Sequence, residues 1–160
     1  MNRNILGLQV LLIGMIAMVM SGCASGQLDI LDEQGNVIGE CNAEFNFHLH
    51  GAQASVDYLL YLCAKEHVQK GRVVSNSAIL HRDFSFPPPK HGQNWNSLLA
   101  HDAFSTNEIT ELQLGYIFAA IEYRYWQQVN HAKAQLAQGV IDDAQYRRQV
   151  QLARIEFKGE

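Results

Sequence analysis

Two hydrophobic rhythms divide the chain. Between Gln27 and Gly51 apolar residues tend to alternate with polar ones, and from Ala54 onward they return every three to four positions. Alternation places one face of a strand against a core, whereas the longer period marks one face of a helix. Leu28 and Ile30 flank Asp29, and Val37 and Ile38 resume the apolar run beyond Glu33-Gln34-Gly35. Gly35 can supply the positive φ of a tight turn, so Gln27–Asp32 and Asn36–Cys41 are expected to pair as a β-hairpin. Phe45, Phe47 and Leu49 share one face opposite Asn46, His48 and His50, which predicts a further strand up to Gly51.

The segment from Ala54 to Lys70 reads as a helix. Ser55 is its candidate N-cap, Tyr58, Leu59, Leu62 and Cys63 gather on one side, and Gly71 is the stop. Arg72 to Ile79 is short enough to be another strand. Phe84 to Asn96 reads as an irregular loop in which Pro87, Pro88 and Pro89 favour an extended course. Two capping-box patterns follow, at Ser105–Glu108 and Thr110–Gln113, and one of them should open a long helix to about Gln138. Leu112, Tyr116, Ala119, Ala120, Tyr123 and Trp126 form its expected core-facing stripe. Gly139 ends it, and Ile141 to Phe157 should fold back as a second helix. The expected fold is therefore α+β: a small antiparallel sheet near the N-terminus packed with a helix, then a long C-terminal helix and a helical hairpin over 108–157.

The first residues follow a different logic. Arg3 precedes an apolar run from Ile5 to Met20 that ends in Ser21-Gly22-Cys23. A basic start, an apolar middle and small residues at the cut describe an export signal, and the run falls short of the roughly 20 residues that span a bilayer. Met20-Ser21-Gly22-Cys23 resembles the lipobox of bacterial lipoproteins, with Met20 where a branched aliphatic is usual. That resemblance implies a signal peptide over 1–22, lipidation of Cys23 with acyl chains of the palmitate class, and a membrane held through that lipid. Ala24, rather than Asp, after the cysteine implies the periplasmic face of the outer membrane. Residues 23–26 would then be a lipidated tether, and 27–160 a single periplasmic domain near the membrane surface.

Composition narrows the functions. The chain has 12 Lys and Arg against 16 Asp and Glu, a formal charge of −4 that becomes −5 once Arg3 is removed. An acidic chain without a basic cluster gives no support for nucleic-acid binding. With Cys23 lipidated, Cys41 and Cys63 are left as an even pair in an oxidising compartment, which favours a disulfide over two free thiols. Such a bond closes a loop of roughly 23 residues and contributes about 3 kcal/mol. No CxxC spacing suggests a redox-active pair.

Candidate chemistry is thin. His48 and His50 would face the same side of a strand and could share a zinc or copper ion, with His67, His81, Asp83 or His101 completing the shell. The same spacing also describes two polar residues on a solvated face. His81-Arg82-Asp83 matches three letters of a kinase catalytic loop, but the rest of that machinery is missing. No Gly-x-Ser-x-Gly is present, so a small envelope hydrolase would have to join His50 or His101 to an acid and a nucleophile elsewhere in the fold. Cys63 beside Lys65 and His67 could act as a nucleophile, though a disulfide is the more economical role for it. Phe86, Pro88 and Trp95, around the proline triplet, could present a rigid surface to a partner, or lay the loop across the helices with Trp95 closing the core. Finally, Leu136-Ala137-Gln138-Gly139-Val140-Ile141 followed by Tyr146 resembles the short C-terminal hairpin module SHOCT, which implies assembly rather than chemistry. Together these features favour a non-enzymatic lipoprotein that binds an envelope protein partner, with metal binding through His48 and His50 as the alternative.

Overall fold

The computed structural model describes residues 24–45 and 50–160. Strand β1 (Ala24–Leu31) pairs antiparallel with β2 (Val37–Phe45) from Ala24 opposite Phe45 to Leu31 opposite Val37. The loop between them is built on Asp32. Its Oδ1 accepts from the backbone N–H groups of Gln34 at 2.9 Å and Asn36 at 2.8 Å, and Gly35 takes a φ of 85°. An acidic side chain thus stands in for a backbone acceptor while glycine takes the left-handed position. A two-residue strand β3 (Val73–Val74) joins the far edge of β1, giving the order β2-β1-β3.

Helix α1 (Ala52–Gln69) follows and lies against the inner face of the sheet. Leu28, Ile30, Cys41, Ala43 and Phe45 meet Val56, Leu60 and Ala64 there. Gly26 lets the two approach, since a Cβ on it would stand 2.8 Å from Val56 Cγ1. The disulfide between Cys41 and Cys63 staples β2 to α1 across this contact, with Cα atoms 6.0 Å apart. The expected pairing is therefore present, and it links the elements anticipated for it.

A 3-10 turn (Ser77–His81) and a long loop lead to α2 (Ser97–Ser105), then α3 (Glu111–Ala137) and α4 (Asp143–Lys158). Thr110 opens α3 through a full capping box with Gln113, and Asp142 opens α4 in the same way with Gln145. The first half of α3 packs on the side of α1 away from the sheet. Its Gly115 is so close that an added Cβ would collide with the Gly51 carbonyl and approach Ala54 Cβ to 2.6 Å. The α+β architecture, N-terminal sheet and C-terminal helical hairpin are as the residue pattern predicts.

Four local expectations change. Ala24, Ser25 and Gly26, expected to belong to a tether, are strand residues paired with Phe45, Glu44 and Ala43. Phe45 ends β2 rather than opening a new strand, and His50 sits at a bend; residues 46–49 lie outside the described residues. Ser55 does not cap α1, because the cap is Gly51 at φ 73° and Ser55 is buried one turn inside. Ser105–Glu108 closes a helix instead of opening one, and that helix, α2, has no counterpart in the sequence reading.

Candidate functional site

The aromatic loop sits on a layer of rings. Phe84 is buried, stacked on Tyr61 at 4.6 Å between centroids and edge-on to Tyr116 at 5.0 Å, while Tyr58 stacks on Tyr116. Arg82 covers the layer: its guanidinium lies 5.0 Å from the Phe84 centroid and 2.7 Å from Asp57 Oδ2. Burial pushes the Tyr58 hydroxyl up from its ordinary value, and the nearby Tyr61 adds to that. Phe86 packs toward Tyr58, and the Trp95 indole N–H donates to the Pro87 carbonyl at 2.9 Å. The Trp95 carbonyl in turn accepts from Arg124 Nη2 of α3 at 2.6 Å. Of the three proposed partner-binding residues, Phe86 and Trp95 are thus committed to closing the core, and Pro88 is exposed. The loop is laid down by its aromatics instead of displaying them.

The histidines are scattered. His48 and the lipidation candidate Cys23 lie outside the described residues. His50 Nδ1 is 3.8 Å from Glu111 Oε1, and its ring leans on Phe104 at 5.2 Å. His101 packs edge-on against Phe118. His50 therefore has an acid and an aromatic ring beside it, and His101 an aromatic ring. His81 ends the 3-10 turn, and Asp83 turns back to accept from the Ser85 backbone N–H. His67 is placed otherwise: one ring nitrogen and the sulfurs of Cys41 and Cys63 lie within 4.8 Å of one another. Among the described residues this is the one group of three metal-ligating side chains so close together. The Cys63-x-x-x-His67 spacing and the pairing of Cys63 with Cys41 on a strand were both visible in the sequence; that the His67 ring lies close to both sulfurs was not.

The third region is the hairpin. The stripe expected to face the core is buried only at Tyr116 and Ala119, beneath α1. Beyond Ala119 it emerges: Tyr123 is 37% exposed and Trp126 52%, although they continue the same helical face. At the other end Leu112 is exposed too. The core positions of α3 are instead Leu114, Ile117, Phe118 and Ile121, with Tyr116 and Ala119 beside them. Apart from the Arg124 bond to the Trp95 carbonyl, the distal half of α3 packs on α4, through Ala132 and Ala153, through Tyr125 against Phe157, and through polar pairs such as Gln128 with Glu156. A cleft of about 240 Å³ opens there, lined by Gln128, His131, Gln149, Leu152, Ala153 and Glu156. Glu122 lies on this half of the helix. Desolvation raises its carboxyl above the ordinary glutamate value, partly offset by a hydrogen bond with Trp126.

No helix among the described residues is long and apolar enough to cross a membrane. Comparison with protein-family models, curated proteins and solved structures finds no match.

Proposed function

We propose that this chain is an exported lipoprotein, anchored through Cys23 to the periplasmic face of the outer membrane, which works by binding another envelope protein. The observation that carries the contact reading is the stripe on α3. Tyr123 and Trp126 remain exposed where a helix of the same chain no longer covers them, and Leu152 on α4 is 56% exposed nearby in sequence to the small residues that hold the hairpin. Large aromatics left in water on a rigid helix are the usual anchors of a protein contact. The likeness of residues 136–146 to an assembly-associated hairpin module supports the same reading. Because β1 begins at Ala24, a lipid on the preceding cysteine would hold the sheet end against the bilayer with almost no slack. That geometry suits an accessory subunit working at the membrane surface better than a long-armed tether.

The test is site-specific photocrosslinking in cells, with the reactive group at Trp126 and, as a control, at exposed Glu33 in the hairpin turn. A protein adduct formed at 126 and absent at 33 supports the reading and identifies the partner. Adducts with lipid alone, or none, overturn it. Metabolic labelling with a fatty acid, lost in Cys23→Ala, tests the anchor separately.

A further inference from the structure

We propose that Cys41, Cys63 and His67 form a redox-gated zinc site, shut while the cysteines are joined and able to take one Zn²⁺ once a dithiol has reduced them. Cys63 and His67 are one turn apart on α1, which puts both side chains on one face, and Cys41 reaches them from β2. The three ligand atoms already lie within 4.8 Å of one another. Tetrahedral zinc with bonds of about 2.3 Å to sulfur requires two thiolates on the order of 3.8 Å apart. With Cα atoms 6.0 Å apart, rotation about the two Cα–Cβ bonds separates the sulfurs that far without moving either backbone.

The chemistry balances. A thiolate of the dithiol attacks Cys63 Sγ, the less buried sulfur, and Cys41 leaves as a thiolate. The second thiol of the dithiol then displaces Cys63, and the reductant departs as its own disulfide. Two electrons and two protons have passed to the cysteine pair. Zn²⁺ then replaces the two thiol protons, and with a neutral imidazole the complex carries no net charge, which lowers the cost of seating it beside a core. Two thiolates and an imidazole favour zinc over the hard cations magnesium and calcium. Cys63 and His67 are only half-buried, so the ion has a way in and a water can complete the coordination.

Arg72 opposes the metal. Its Nη1 lies 2.9 Å from His67 Nδ1. A guanidinium can only donate, so Nδ1 must accept and Nε2 carries the proton of the neutral ring. Coordination through Nδ1 displaces Arg72 directly; coordination through Nε2 moves the proton to Nδ1 and breaks the same contact. Either way the ion must dislodge the arginine.

The experiment uses the full chain in detergent, oxidised or reduced with a phosphine, titrated with Co²⁺ as a spectroscopic stand-in and competed with Zn²⁺. One equivalent should bind to the reduced chain with a sulfur-to-cobalt charge-transfer band, and none to the oxidised chain. His67→Ala should weaken binding by about 10-fold or more, the scale on which metal sites respond to lost support. Arg72→Ala should tighten it several-fold, which a purely structural arginine would not do. A reduced chain without the band, or His67→Ala with unchanged affinity, overturns the site. Circular dichroism covers loss of fold on reduction: refolding on addition of Zn²⁺ supports the site, and a reduced chain that stays unfolded with Zn²⁺ overturns it.

Discussion

The two halves of α3 live in different environments. From Leu114 to Ile121 the helix is buried on nearly every side, between α1 and α2, and its side chains join the core that the sheet, α1 and the aromatic loop share. From Glu122 to Ala137 it buries only Ala132, and its companion α4 buries only Ala153. One continuous helix is thus a core element at one end and half of a two-helix arm at the other. The first half is fixed by shape, the second by small-residue contact, polar pairs and caps. Local stability should differ accordingly, highest where apolar burial is dense and lowest at the hairpin tip near Gly139.

The sharpest way to break this contrast is to delete equal aromatics from each half. Phe118→Ala removes a fully buried ring and should cost about 4 kcal/mol in urea unfolding. Trp126→Ala removes a larger but half-exposed ring and should cost within about 0.5 kcal/mol. Comparable losses at both positions would mean that the distal half is as much core as the proximal one. Next is Gly115→Ala, which adds a methyl against the Gly51 carbonyl and Ala54 and should cost about 2 kcal/mol, as overpacking does. Its effect tests whether α1 and α3 are held at close range by the Ser55 hydroxyl, which donates to the Gly115 carbonyl at 2.8 Å. Asp142→Ala, at the start of α4, should cost about 1 kcal/mol and accelerate hydrogen exchange in α4 without touching the sheet.

The same division governs what could be read from the residues. Local rules were legible: alternation gave the hairpin of β1 and β2, the Thr110 capping box gave the start of α3, and the parity of Cys41 and Cys63 gave the disulfide. What was hidden depends on distant partners. Ser55 resembles an N-cap because its true acceptor, Gly115, lies 60 residues away. The periodicity of α3 defines a face, but not how far a neighbouring helix covers it, so Tyr123 and Trp126 looked like core. Helix α2 is short and follows an irregular loop, yet Asn96 before Leu98, Leu99, Ala100 and Ala103 is a capping signal, and Asn96 does accept from Leu99 N–H at 2.9 Å. Of the site, Cys63 and His67 share a helical face by spacing and Cys41 joins Cys63 by parity, whereas the closeness of the His67 ring to both sulfurs depends on the tertiary fold.

The smallest effect separates the two regions by the sign of its pH dependence. In the β1–β2 turn, Asp32 is held below the ordinary aspartate value, chiefly by the Asn36 side chain and then by backbone N–H groups. Its contribution is therefore present above the unfolded value of 3.8 and is lost as pH falls through the lower folded value. Glu122 on the arm behaves oppositely. Desolvation raises it, so the folded chain holds that proton more tightly than the unfolded chain does. Its contribution is present below 4.5 and is lost as pH rises through the folded value, leaving a partly buried charge at neutral pH. Glu122→Gln should then stabilise the protein at pH 7, with a gain that shrinks on acidification. Asp32→Asn should destabilise it at pH 7, with a deficit that also shrinks on acidification. Urea midpoints of both variants at pH 7 and pH 4 would decide the matter, because the predicted shifts at pH 7 have opposite signs. If Glu122→Gln were destabilising at pH 7, the carboxylate would be serving the arm through its bond with Trp126, and that stretch of α3 would be better fixed than its exposure implies.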